Sequence, residues 1–227
     1  MIRKYNYVLL LGGILVMLIG GSLATEHARL GTQIIVDASL AGMLVLAVWS
    51  LLNSRAVFVA GLILAVVAVL LTLGAYATSN QVLQNLSLLV VLVFFLLTCL
   101  VAVHDVLLGG QININRLIGA GCIYLLSGAL WGIVYFLLNV VSPGSFEGVA
   151  GETWSEQLNE FTYHSFVTLT TLGYGDVIPA LPIARTLSYL EAVLGQLYLT
   201  VLVAALVGIH IANRQVGAWP AGTTGES

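Results

Sequence analysis

Charge is what this sequence has least of. Of its 227 residues, 7 are Lys or Arg and 10 are Asp or Glu, so charged residues make up 7%. A soluble domain carries about 25%, which excludes an ordinary water-soluble globular fold. Disorder is excluded on the same ground, because disordered chains are polar and charged. The formal net charge of -3 leaves no basic surface for nucleic acid. Cysteine is scarce too. Cys99 and Cys122 both sit inside apolar runs, which argues against a disulfide framework or a zinc site. Nucleophile–base pairs, metal-ligand clusters and phosphate-binding loops are also missing, so the sequence argues against an enzyme and calls for no cofactor. What fills the chain instead is apolar: 59% of residues, with a mean hydropathy of +1.05.

The apolar residues fall in long runs at 7–24, 33–52, 56–77, 83–104, 117–141 and 183–212. Each is near or above the roughly 20 residues that a membrane-crossing helix needs. Lipid offers unpaired backbone groups no water, so such runs must be helices or closed barrels. Their continuous apolarity favours helices over the alternating pattern of barrel strands. The expectation is an all-α membrane protein with six transmembrane helices.

Basic residues in short loops set orientation. With both termini cytoplasmic, Arg3, Lys4, Arg55, Arg116 and Arg214 lie inside, and Arg29 and Arg185 outside. Glu26, Glu147, Glu152, Glu156, Glu160 and Asp176 then fall outside. Arg3, Lys4 and Ser22-Leu23-Ala24, with its small residues at the first and third places, also look like a signal peptide. The apolar run between them exceeds the roughly 7–15 residues of that class, which favours a retained helix.

The connections are mostly short. Residues 53–55 and 78–82 leave room only for tight helical hairpins. Segment 142–157 differs: it holds Pro143, several Gly and three Glu, and reads as a polar loop. Segment 162–171 follows, rich in aromatics and hydroxyls, and reads as a short helix that dips into the membrane without crossing it.

Directly after it stands Thr168-Leu169-Thr170-Thr171-Leu172-Gly173-Tyr174-Gly175-Asp176. A potassium ion can exchange its water for rings of backbone carbonyls. Successive carbonyls face one axis only if the backbone alternates in hand, and Gly takes positive φ at little cost. Gly173 and Gly175 have the spacing of two that such alternation requires. Thr171 adds a hydroxyl oxygen at the inner end, while Leu172 and Tyr174 would brace the ring from outside.

From residue 117 to about 214 the sequence resembles the potassium-channel pore family, in its prokaryotic six-transmembrane form. Thr171-Leu172-Gly173-Tyr174-Gly175 differs from the family's Thr-Val-Gly-Tyr-Gly filter only by Leu at the second place. The resemblance implies a re-entrant pore helix and selectivity-filter loop between the fifth and sixth spans. It also implies a homotetrameric pore, since each chain supplies one filter. K+ would be held by the backbone carbonyls of Thr171, Leu172, Gly173 and Tyr174 and by the Thr171 hydroxyl. Filter support would come from Tyr163 facing Asp176, and from His164 and Thr168 facing the Tyr174 hydroxyl. Gly195, mid-way along the last span, would be a gating hinge, with close helix packing as the alternative. Gly128 and Gly132 read as a packing pair.

Asp37 and Glu191 are ionisable residues inside spans, where such groups are costly and tend to pair. Glu191 would pair with Arg185 or with a hydroxyl supporting the filter. His210 falls near the inner mouth on a solvated face. Residues 1–110 form a four-helix domain resembling a voltage-sensor layout, residues 111–215 a pore domain, and residues 216–227 a flexible tail. A voltage sensor needs a ladder of basic residues, yet neither Lys nor Arg occurs between Arg55 and Arg116. The expected function is passive K+ conduction across the cell membrane without steep voltage gating. The alternatives are a non-conducting membrane adaptor and a subunit of a potassium transporter, whose chains usually carry several degenerate filter copies.

Overall fold

The computed structural model describes residues 6–26, 42, 55–108 and 114–217. Its elements are α1 (Asn6–Glu26), α2 (Arg55–Thr78), α3 (Gln81–Leu108), α4 (Ile114–Val141), β1 (Phe146–Glu147), α5 (Trp154–Leu169), β2 (Ile178–Pro179) and α6 (Pro182–Gly217). The run at 33–52 with Asp37, and residues 218–227 of the expected tail, lie outside the described residues, as do the side chains of His210 and Arg214.

Four described helices are long and apolar enough to cross a membrane: α2, α3 as far as His104, Leu117–Val141 of α4, and Pro182–Ala205 of α6. The Tyr7–Ile19 part of α1 is apolar but shorter. These helices are apolar all round because one side meets protein and the other meets lipid. The division shows in residue size. On α2 the buried positions are Gly61, Ala65, Ala68 and Ala75, while Ile63, Val66, Leu70 and Leu73 stand exposed. Small residues let helix axes approach where lipid supplies no hydrophobic push, and α2 packs along α3. The turn between them runs through Ser79 at φ 50. The Asn80 side chain then accepts the Val82 amide at 2.9 Å and starts α3.

α3 packs in turn on α4, and α1 packs on α4 as well. Leu10 and Ile14 of α1, Phe94 and Phe95 of α3, and Cys122 and Leu126 of α4 share one core. The Cys122 thiol donates to the Tyr7 carbonyl at 3.4 Å. Gly119 leaves room for the Tyr7 ring, since a Cβ there would lie 3.1 Å from it.

The short dipping helix is longer than the sequence pattern indicates, and it begins at Trp154 rather than Thr162. The cause is a capping box at its start. Thr153 Oγ1 accepts the Glu156 amide at 3.3 Å, and Glu156 Oε2 accepts the Thr153 and Glu152 amides at 3.2 and 2.9 Å. These bonds satisfy amide groups that a helix start otherwise leaves open. The polar loop therefore ends at Thr153. It also contains a strand: β1 pairs antiparallel with β2, Phe146 opposite Pro179 and Glu147 opposite Ile178. The Ser145 carbonyl accepts the Ala180 amide at 2.8 Å, and Arg185 Nε donates to the Pro179 carbonyl at 3.1 Å. The loop before α5 is thus fastened to the segment between α5 and α6.

Candidate functional site

The segment 170–176 leaves the C-terminus of α5, the negative end of its dipole. Its first amides fold back on α5. Thr170 N donates to Phe166 O at 3.0 Å, Thr171 N to Thr168 O at 3.0 Å, and Leu172 N and Gly173 N to Val167 O at 2.9 and 3.3 Å. Positive φ then recurs at every second residue: Thr171 at 59°, Gly173 at 62° and Gly175 at 77°. Leu172 and Tyr174 between them are not in that region. The backbone therefore alternates in hand across five residues. Gly accepts this readily. Thr171 does not, because a β-branched residue at positive φ is a genuine outlier, and such strain is held only where surrounding structure imposes it. Sequence reasoning had located the alternation at the two glycines and had not assigned positive φ to Thr171.

At the outer end the Tyr163 hydroxyl donates to Asp176 Oδ2 at 2.6 Å, and the Val177 amide donates to Asp176 Oδ1 at 3.0 Å. The Tyr163 hydrogen bond, more than the backbone donors, holds the Asp176 carboxyl below the usual carboxylate range. The same bond pushes the Tyr163 phenol up to about 12. Glu160 lies above the usual range through burial first and the nearby Asp176 charge second. Gly148 brings the outer loop against this point. A Cβ there would sit 1.9 Å from the Asp176 carbonyl oxygen, so the backbones meet where only Gly fits.

Behind the segment lies an aromatic core. Phe146 of β1 packs edge-on against Tyr135 and Phe161, with ring centroids 5.3 and 5.1 Å away. The His164 ring lies 5.3 Å from Tyr135 and 5.4 Å from Phe146. His164 and Thr168 were expected to face the Tyr174 hydroxyl, and within a single chain His164 instead packs in this aromatic core. Within one chain His164 is buried, its Nε2 has no hydrogen-bond partner, and the Tyr174 ring is 67% exposed. The aromatic core holds the imidazole, while most of the Tyr174 side chain is left uncovered by its own chain.

Glu191 is 0% exposed and pairs with hydroxyls, not with Arg185. The Tyr135 hydroxyl donates to Oε2, and the Ser165 hydroxyl contacts Oε1 at 2.5 Å. Tyr124 OH reaches the Leu169 carbonyl at 3.1 Å, and Tyr198 OH reaches the Ala120 carbonyl at 2.7 Å. Tyr124, Tyr135, Ser165 and Tyr198 escaped the sequence reading. The signal available for the three tyrosines was that each is a polar group in an apolar helix, where lipid provides no partner, whereas Ser165 sits among other hydroxyls on α5 and gave none.

Glycines set the helix approaches. A Cβ at Gly128 would lie 2.7 Å from the Phe166 ring, and one at Gly132 would lie 2.8 Å from Thr162 Cα. Gly195 faces Leu169: a Cβ there would lie 2.9 Å from its carbonyl oxygen. α6 runs unbroken through Gly195, and the structure gives this glycine a packing requirement.

Residues 121–210 match the family model described as Ion channel. The two pore potassium channel c of Oryza sativa subsp. japonica is 31% identical over 85 residues, 37% of this chain and 18% of the relative. The chain thus spans well under two thirds of that relative's length. No solved structure matches. By these matches the stretch 121–210, which holds the Thr-Leu-Gly-Tyr-Gly segment, is similar to ion channels, a potassium channel among them.

Proposed function

We propose that the chain is one subunit of a homotetrameric, potassium-selective channel of the cell membrane, with both termini cytoplasmic. It conducts K+ passively and is not steeply voltage-gated. The observation that carries this reading is the recurrence of positive φ at Thr171, Gly173 and Gly175, the backbone form that a column of carbonyl rings requires. Thr171, Leu172, Gly173, Tyr174 and Gly175 are the filter. K+ is held by the carbonyls of the first four and by the Thr171 hydroxyl.

Four chains are needed because each supplies one filter and a ring closes around an axis. Leu172 is 54% exposed and Tyr174 67%. These large side chains beside the filter find cover against a neighbouring copy, where Tyr174 meets the pore helix that carries His164 and Thr168. Tyr163 and Asp176 brace the outer end within each chain. The helix α1 and the run at 33–52 bring the four described spans to six.

The test joins mass measurement in lipid nanodiscs with current recording from reconstituted protein. Four chains per particle and a reversal potential that follows the K+ gradient in mixed Na+ and K+ are expected. A monomer as the sole species, or a reversal potential indifferent to K+, overturns the reading.

A further inference from the structure

Glu191, Tyr135, Ser165 and the Gly128 carbonyl meet behind the filter, at the junction of α6, α4 and α5. The Tyr135 hydroxyl donates to Glu191 Oε2. Ser165 Oγ lies 2.5 Å from Glu191 Oε1 and 2.7 Å from the Gly128 carbonyl oxygen. A hydroxyl has one proton to give, and a carbonyl oxygen can only accept. If Glu191 is ionised, Ser165 can serve either the carboxylate or Gly128, and one contact stays without a proton. If Glu191 is neutral, the count closes. Oε1–H donates to Ser165, Ser165 donates to Gly128, and Tyr135 donates to Oε2.

The surroundings favour the same state. Glu191 is fully buried, and a buried charge is costly unless paired. The groups facing it are Tyr135 and Tyr124 on α4 and Ser165 on α5, and the His164 ring packs against Tyr135. On its own helix, Arg185 Nε is turned to the Pro179 carbonyl, and the buried Ser188 hydroxyl is uncharged. No cation stands against Glu191 among the described residues.

We infer that Glu191 is a proton-binding site: at neutral pH it carries a proton that ties the outer, pore and inner helices together behind the filter, and releasing that proton lowers conduction. Ser165 lies one helical turn before Leu169, whose carbonyl takes the Tyr124 hydroxyl and abuts Gly195. Between them Val167 O holds the Leu172 and Gly173 amides. When the proton leaves, Ser165 turns to the carboxylate, Gly128 loses its donor, and a charge appears beneath the α5 turn that anchors the filter. The proton site stands on the hydrogen-bond geometry alone, and its effect on conduction rests on the channel reading above.

The test uses the full chain in lipid vesicles, with infrared spectra and K+ flux recorded from about pH 6 to about pH 10, spanning the range between ordinary carboxyls and phenols. At neutral pH the wild type should show a protonated-carboxyl band that Glu191→Gln deletes. Tyr135→Phe should keep the band but move it to higher frequency, because the carboxyl C=O loses its donor. K+ flux of the wild type should fall several-fold as that band disappears, while Glu191→Gln shows flux flat with pH. Overturning results are a band missing from the wild type, or one unaltered by both substitutions. Equal pH dependence in wild type and Glu191→Gln overturns the coupling. A chain that passes no K+ at any pH overturns the channel reading and the coupling together, while the infrared bands still decide the proton site.

Discussion

Thr171, Gly173 and Gly175 hold positive φ in succession, and the cost of that conformation separates them. An L-residue with a Cβ pays roughly 1–2 kcal/mol in the left-handed region, which Gly avoids. At Gly173 an added Cβ meets nothing within 4 Å in its own chain, so the effect of Gly173→Ala is conformational and not a clash within the chain. In the proposed tetramer it repeats in four copies around one axis, and it is expected to abolish K+ selectivity or conduction, read as a reversal potential that no longer separates K+ from Na+. An unchanged reversal potential removes the filter assignment.

Tyr163 and Asp176 give a second prediction at this scale. The Asp176 carboxyl is depressed by the Tyr163 hydroxyl, so its contribution is present above the unfolded carboxylate range and is lost as pH falls through the folded value. The phenol is raised to about 12, so its contribution is present below the ordinary phenol range and fades only as pH rises through that value. The pair is therefore intact around neutrality. Tyr163→Phe removes the main cause of the depression and returns Asp176 toward its ordinary range. Current should then begin to fall at milder external acid than in the wild type, between about pH 6 and about pH 4. Titrations that coincide for the two proteins would show that the hydrogen bond does not govern Asp176.

Among the elements, the long helices were the legible part of the chain. The runs at 56–77, 83–104 and 117–141 became α2, α3 and α4 with ends moved by a few residues, because lipid demands apolar length and charge is rare enough to mark the stops. The start of α5 was legible too, but in a different signal. Thr153-Trp154-Ser155-Glu156 is a capping box, and a search for apolar runs passes over it because the first turns of α5 are polar. β1 and β2 were not legible. Two-residue strands have no periodicity, and their pairing joins segments on either side of α5. The partners of Glu191 were hidden for a related reason. That a buried carboxyl needs donors follows from its sequence position, whereas the choice of Tyr135 and Ser165 over Arg185 is set by how three helices pack. The capping box supplies the prediction at this scale. Thr153→Ala removes a side-chain acceptor for the Glu156 amide, at a cost of about 1 kcal/mol per chain. Denaturant unfolding in detergent should show that loss, and Thr153→Ser should restore most of it. Equal stability of Thr153→Ala and wild type would mean that β1–β2 pairing alone fixes the start of α5.

For the whole molecule, the question is what the helices before the pore segment do with the membrane field. Moving one charge through that field is worth about 2.3 kcal/mol per 100 mV, and steep gating uses about 3–4 such charges per subunit. From residue 56 to residue 115 the chain has neither Lys nor Arg, and α2 and α3 occupy most of that stretch. Several of their hydroxyls are hydrogen-bonded within the helix pair. Thr98 Oγ1 donates to the Phe94 carbonyl at 2.9 Å, Thr72 Oγ1 to Ala68 at 2.9 Å, and Thr72 contacts Ser87 across the pair at 3.3 Å. α3 packs on α4, which in turn packs on α5, so these helices can act on the pore segment by packing, with no Lys or Arg ladder to move. Tail currents recorded in symmetrical K+ from about -100 to about +100 mV should therefore change by less than one elementary charge's worth of steepness per subunit, about 2.3 kcal/mol per 100 mV. Whatever slope remains should follow the permeant ion, because ions moving within the filter cross part of the field themselves; replacing K+ with Rb+ should alter it. A steep sigmoidal activation curve that is indifferent to the permeant ion would show instead that charge outside α2 and α3 moves with the gate.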